Sequence, residues 1–422
     1  MSKSNNTLFY IYALAASIFL LLMPDNIKAQ NLTFSQCFSD STLRLDYIFS
    51  GDRDKQHIAL DQLTMTPNWY GRKKRLSDLP LEGNGQITVS DPSSGQILYR
   101  HSFSTLFQEW LSTEESKNTQ KAFENVFLIP FPLQPVDIKV ELLDFHRLPF
   151  VSMTHRVDPN DILIRKVSEQ SNPYVTLQQA RDTSNCIHIA YVAEGYTEQE
   201  TDSFLSHAKI AMEALFSHEP FKSLQSDFNI IAVPLTSPDS GVSQPSDGIW
   251  RQTALSSHFD TFYSVRYLTT LRLKALHDAL SCLPYEHIII LANTDHYGGG
   301  GIYNSYTLSY TKGKYFQPVV VHEFGHSFAG LADEYDYGDD DPMYFADTEP
   351  WEMNITTKHD FSQKWTNLIA DGKASLIEGG GYQSKGVWRG CPDCRMKTNT
   401  WPEFCPVCQQ AIINLIMFYL AE

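Results

Sequence analysis

The sequence predicts an α+β protein in which a β-sandwich comes first and an α/β domain second. Two patterns carry this expectation. In the first third of the chain apolar residues recur at every second position, at Leu43, Leu45, Tyr47 and Phe49 and again at Ile138, Val140 and Leu142. That period turns one face of a strand to a core and the other away from it. Beyond about residue 187, short apolar runs alternate with helical patterns, the element order of an α/β layer. At 422 residues the chain also exceeds one ordinary core.

Residues 1–29 stand apart as a signal peptide. Lys3 precedes an apolar run from Leu8 to Met23, and Pro24 and a polar stretch then lead to a small residue, Ala29, where a cut before Gln30 is expected. The run is shorter than the ~20 residues that span a bilayer, so no stable membrane insertion is expected after cleavage. The mature chain is then secreted, periplasmic or held at the cell surface. Residues 30–168 are assigned to the sandwich, in which QITVS and QILYRHSF flank the turn residues Asp91 to Gly95. A polar segment with Pro173, Ser168 to Thr183, marks the boundary, and residues 169–422 form the second domain.

In that second domain IHIAYVAEGY, from Ile187, is a buried strand. Thr197 and Glu200 make a capping box for a helix through TDSFLSHAKIAMEALF. FNIIAVPL and EHIIILANT are further strands, with a helix over SVRYLTTLRLKALHDALSCL between them. DHYGGGGIYN lacks the Lys-Ser/Thr of a phosphate loop and is expected to be a tight loop. TLSYT after it is expected to be an edge strand on which an extended peptide can pair.

Charge narrows the partners. The formal net charge is −16, which repels nucleic-acid phosphates and anionic membranes and argues against both as partners.

VVVHEFGHSFAGLADEY carries the chemistry. In His322-Glu323-x-x-His326 the imidazoles lie four residues apart on one side of a helix, able to hold zinc while Glu323 acts as base. A catalytic zinc site keeps three protein ligands and an open position, so a third ligand is required. On a continuing helix Asp333 would lie ~10 Å beyond His326, too far to share the ion. The chain must therefore turn back, and Gly330 is the residue able to end the helix in a left-handed conformation.

Here the sequence resembles the metzincin zinc peptidases, with their HExxHxxGxxH or HExxHxxGxxD motif. It departs by one residue, since Ser327, Phe328 and Ala329 separate His326 from Gly330. The interval from glycine to ligand is kept, which favours Asp333 as third ligand over Glu334. Together HEFGHSFAGLADEY, EGGGYQSKGVWRG, CRMKTN and FCPVCQ are similar to the IgA-peptidase family of zinc metalloendopeptidases. The resemblance implies a metzincin-like catalytic domain, extracellular hydrolysis of a protein or peptide substrate, and Met396 in the turn beneath the metal. Glu323 would take a proton from water and deliver it to the leaving amine, and Tyr382 or Tyr335 would stabilise the oxyanion.

The seven cysteines include Cys391-x-x-Cys394 and Cys405-x-x-Cys408. Export favours disulfides joining the Met396 turn to a C-terminal helix. The spacing itself is that of a four-cysteine zinc site. DEYDYGDDD offers Asp336, Asp339 and Asp341 as calcium ligands, against the plainer reading of a solvated acidic loop. Two rival functions remain at this stage: a surface binding protein with a structural or degenerate zinc domain, and a zinc hydrolase of a non-peptide amide.

Overall fold

The computed structural model describes residues 33–167, 171–338, 342–358 and 364–420. The signal segment, Asp339 and Asp341 lie outside them. Two four-stranded sheets come first. One has the order β5-β1-β2-β8, formed by β1 (Phe38–Gly51), β2 (Gln56–Pro67), β5 (Lys121–Pro132) and β8 (Arg165–Lys166). The other has the order β4-β3-β6-β7, formed by β3 (Gly85–Ser90), β4 (Ile97–Phe103), β6 (Val136–Leu143) and β7 (Pro149–Val157). Leu43, Leu45, Tyr47 and Phe49 are fully buried with Ile87, Val89, Ile138 and Val140 in the core of this sandwich.

A six-stranded sheet follows, in the order β13-β14-β12-β10-β11-β9. Its inner strands β10 (Ile187–Glu194), β11 (Phe228–Val233), β12 (His287–Ala292) and β14 (Tyr306–Tyr310) run parallel, and β9 (Val175–Gln178) and β13 (Gly299–Ile302) are antiparallel edges. Every residue of β10, β12 and β14 is buried, as parallel strands covered on both faces require. One face, with Ala190, Val192, Ile231, Ile288 and Ile290, belongs to the same core cluster as the sandwich. The other, with Ile189, Tyr191, Ile230 and Leu291, packs under helices α2 (Thr201–Leu215), α4 (Phe316–Ala329) and α5 (Pro406–Leu420). The sandwich therefore forms one wall of the α/β layer. Arg44 strengthens the seam, bonding Asp46 within β1 and Asp278 across it, both at 2.6 Å.

Three expectations from the sequence change. The helix expected over residues 264–283 shrinks to α3, Leu273–Ala279. The preceding residues are claimed by tertiary bonds: Thr270 Oγ1 donates to Leu255 O at 2.5 Å, and the Tyr306 hydroxyl donates to Thr270 O at 3.0 Å. TLSYT is an interior strand, because the glycine run before it is not a loop but the edge strand β13. The outer side of β13 is partly taken, since Gly299 N–H donates to Arg266 O and Leu268 N–H donates to Gly299 O. The capping box is present, with Glu200 Oε2 accepting from Thr197 N–H at 3.0 Å. Among the described residues no helix is long and apolar enough to cross a membrane.

Candidate metal centre

Helix α4 runs through the interior, with Val319, Val320, Val321, Phe324 and Phe328 all buried. Its approach to β13 explains the glycines. A Cβ at Gly301 would sit 2.2 Å from Glu323 O, and one at Gly299 would meet the Glu323 side chain at 3.0 Å. Only a strand without side chains lets the helix come this close.

The helix ends where the sequence places its stop. Gly330 has φ +56°, its N–H donates to His326 O at 2.9 Å, and Leu331 N–H donates to Gly325 O at 3.2 Å. The extra residue in the His-to-Gly interval is taken up as helix, which runs through Ala329, so the turn still falls on glycine. The returning segment is then pinned residue by residue. Ala332 exchanges hydrogen bonds with the Asn354 side chain at 2.8 Å each way, Glu334 N–H donates to Met396 O at 2.9 Å, and Gly381 N–H donates to Asp333 O at 2.8 Å.

This brings Asp333 to the histidines. His322 Nε2 and His326 Nε2 are 3.0 Å apart, and Asp333 Oδ1 lies 3.1 Å from the first and 3.3 Å from the second. Donors arranged tetrahedrally about 2.0–2.1 Å from one centre stand about 3.3–3.4 Å apart, so the triangle fits a zinc-sized ion. The distal nitrogens agree. His322 Nδ1–H donates to Arg395 O at 2.9 Å and His326 Nδ1–H to Leu331 O at 2.5 Å, which turns both Nε2 atoms towards Asp333. Asp333 Oδ1 is a buried oxygen with no hydrogen-bond partner, as a ligand atom would be. Glu334, the alternative ligand, is fully buried and turned to the cysteines instead.

Around this triangle lie the other expected residues. Met396 is fully buried beneath the helix, its Sδ 2.8 Å from where a Gly325 Cβ would be. The Tyr382 hydroxyl donates to Asp333 Oδ2, and the Tyr335 ring lies edge-on to that of Tyr382 at 5.4 Å. Tyr382 is thus an anchor of Asp333 in this structure, held on a backbone of φ +67°. Burial opposes the charge of Asp333, but His326 and His322 outweigh it and hold the carboxyl well below its usual range. Burial likewise opposes protonation of His326, yet Asp333 raises it to about 9. Burial pushes Glu323 up, and Asp333 adds to this against the two histidines.

One neighbour escaped the sequence reading. Glu109, on α1 (Leu106–Leu111) of the sandwich, accepts a hydrogen bond from the Tyr267 hydroxyl. Burial pushes its carboxyl up to about 7, and the fields of His326, Glu323 and Asp333 reach it. No local signal marks Glu109, because only the tertiary seam brings it near α4. The structure forms no disulfide among the described residues, so the bridges expected between the two Cys-x-x-Cys pairs are not shown. Asp336, the described member of the calcium group, lies against Gly379 and is bridged to Tyr382.

Two imidazoles, a glutamate between them and a carboxylate returned by a glycine turn define the class, an HExxH metallopeptidase. Comparison with protein families supplies the family. The IgA Peptidase M64 model matches residues 175–376, and the model of the Peptidase M64 N-terminus matches residues 33–151. The chain belongs to the IgA peptidase M64 family and is a metallopeptidase, an enzyme whose substrates are proteins or peptides. No curated protein matches the chain.

Proposed function

We propose that the chain is an exported zinc endopeptidase, with His322, His326 and Asp333 as zinc ligands and Glu323 as general base. The observation that carries this reading is the convergence of two Nε2 atoms and the unpartnered Asp333 Oδ1 within 3.0–3.3 Å of one another. When bound, zinc supplies Lewis-acid chemistry, making water acidic near neutral pH and polarising a peptide carbonyl.

The chain's own residues do the rest. Glu323 accepts a proton from the attacking water on its carboxylate and passes it to the leaving amine nitrogen. Its burial favours the protonated form, which aids the second transfer. Tyr382 keeps Asp333 in place through Oδ2. If that hydroxyl swings away from Asp333 as substrate binds, it becomes a donor for the developing oxyanion. The exposed ring of Tyr337, 6.1 Å from that of Tyr382, offers a wall for a substrate side chain.

Export rests on residues 1–29, and N-terminal sequencing of the exported chain should begin at Gln30. The activity is tested by digesting a large unfolded protein and identifying the fragments by mass spectrometry. Internal cleavages that stop with a chelator, return with zinc and are absent from Glu323→Gln support an endopeptidase. Removal of terminal residues only, or equal activity in Glu323→Gln, would overturn the reading.

A further inference from the structure

A second cluster of metal-ligating side chains lies directly behind Asp333 and takes no part in the chemistry above. Glu334, Cys394, Cys405 and Cys408 bring one donor atom each to within 4.8 Å of one another, and all four residues are buried. The cysteines fall beyond residue 376, where the match to the peptidase family model ends.

The cluster is organised around Glu334. Its Oε1 accepts from Asn354 Nδ2 at 3.0 Å and from Cys408 Sγ at 3.1 Å, while its buried Oε2 has no hydrogen-bond partner. A carboxyl group is costly to bury half-satisfied among thiols, and a cation removes that cost. The sulfurs are spaced accordingly. Cys394 Sγ and Cys408 Sγ are 3.6 Å apart. Bonded sulfurs would be about 2.0 Å apart. Two thiolates on a tetrahedral zinc, each about 2.3 Å from the ion, stand about 3.8 Å apart. Cys405 N–H also donates to Cys394 Sγ at 3.2 Å, a bond that favours the thiolate.

We propose that Glu334, Cys394, Cys405 and Cys408 form a closed, structural site for a thiolate-seeking divalent cation of the zinc class, separate from the centre at His322, His326 and Asp333. Three thiolates and a carboxylate suit such an ion, and four protein ligands leave no open position for catalysis. Its role follows from its neighbours. Glu334 is bonded in sequence to Asp333, and its N–H holds Met396 O. Cys394 precedes Arg395, whose carbonyl orients His322. Cys405 and Cys408 bracket the start of α5. One ion would clamp three segments that set the floor of the active site. The assignment stands whether or not the first centre binds zinc.

The test uses the full chain lacking its signal, purified with reduced thiols and loaded with cobalt in place of zinc. In a His322→Ala/His326→Ala variant the site predicts one retained equivalent of cobalt with thiolate-to-cobalt charge-transfer absorption. That absorption is lost on adding Cys408→Ser, shifts or weakens with Glu334→Gln, and persists with Cys391→Ser. Should Cys408→Ser fail to fold, titration of the otherwise unsubstituted variant with a mercurial must release its metal as the thiols are consumed. No charge-transfer band, no metal release, or a native Cys394–Cys408 disulfide found by mass spectrometry would overturn the proposal. Loss of metal with Cys391→Ser but not with Glu334→Gln would overturn the ligand set.

Discussion

Gly330→Ala should damage both stability and metal binding, and the structure sets its size. At φ +56° an alanine carries the left-handed penalty, about 1–2 kcal/mol. Its Cβ would also lie 2.3 Å from Trp351 Cζ3 and 2.8 Å from Cη2. Trp351 has little room to withdraw, because its Nε1–H donates to Asn84 Oδ1 at 2.8 Å and its ring packs on Tyr303. Forcing a methyl into such a place adds about 1–3 kcal/mol, for a total of about 2–5 kcal/mol. Gly372→Ala is the control, since Gly372 has φ +69° with nothing within 4 Å of the added Cβ, and it should cost only the first penalty, about 1–2 kcal/mol. Urea unfolding at constant m-value gives the difference. Chelator competition should show weaker metal binding in Gly330→Ala alone, because the turn also aims Asp333. Equal losses in the two variants, with metal affinity unchanged in both, would refute the argument that this turn returns the third ligand.

Three further outcomes are expected. Glu323→Gln should retain metal and lose about 10²–10⁴-fold in kcat, measured on a peptide substrate with metal content checked by elemental analysis. Tyr382→Phe removes the bond to Asp333 Oδ2 and should weaken metal binding about 10–100-fold by chelator titration. Unchanged affinity with a fallen kcat would move Tyr382 from holding the ligand to stabilising the oxyanion. Glu109, raised by burial from 4.5 to about 7, holds a proton in the folded state that the unfolded chain has already released. Its stabilising contribution is present below about pH 4.5 and lost as pH rises through about 7, a change of up to about 3 kcal/mol. Glu109→Gln should therefore gain stability relative to the parent between about pH 5 and about pH 8, and a parallel pH dependence of the two urea midpoints would contradict this.

The parts of the site that could be read from the sequence are those built by neighbours in the chain. His322, Glu323 and His326 share a helix, so their spacing puts them together, and Gly330 marks the turn back. The choice of Asp333 over Glu334 comes from the resemblance to the metzincin interval after that glycine. The sandwich and the alternating layer were legible for a similar reason, since strand and helix periods are local. What stayed hidden depends on distant segments. Glu109 comes near α4 only because the sandwich and the central sheet share one core. The tetraglycine run looks like a loop until β13 is seen against Glu323, where any side chain would collide. Residues 264–272 have a helical apolar pattern, but hydrogen bonds from Tyr306 and to Leu255 hold Thr270 otherwise. The four clustered cysteines announced a bridge or a metal, while Glu334 among them became visible only in three dimensions.

The most direct test of the account is anomalous diffraction at the zinc absorption edge from crystals of the chain grown with zinc. It should place a peak about 2.0–2.2 Å from His322 Nε2, His326 Nε2 and Asp333 Oδ1, with Glu323 beside it and outside the coordination sphere. A zinc peak there with Asp333 turned away and another residue as third ligand, or no peak between the two histidines at all, would contradict it.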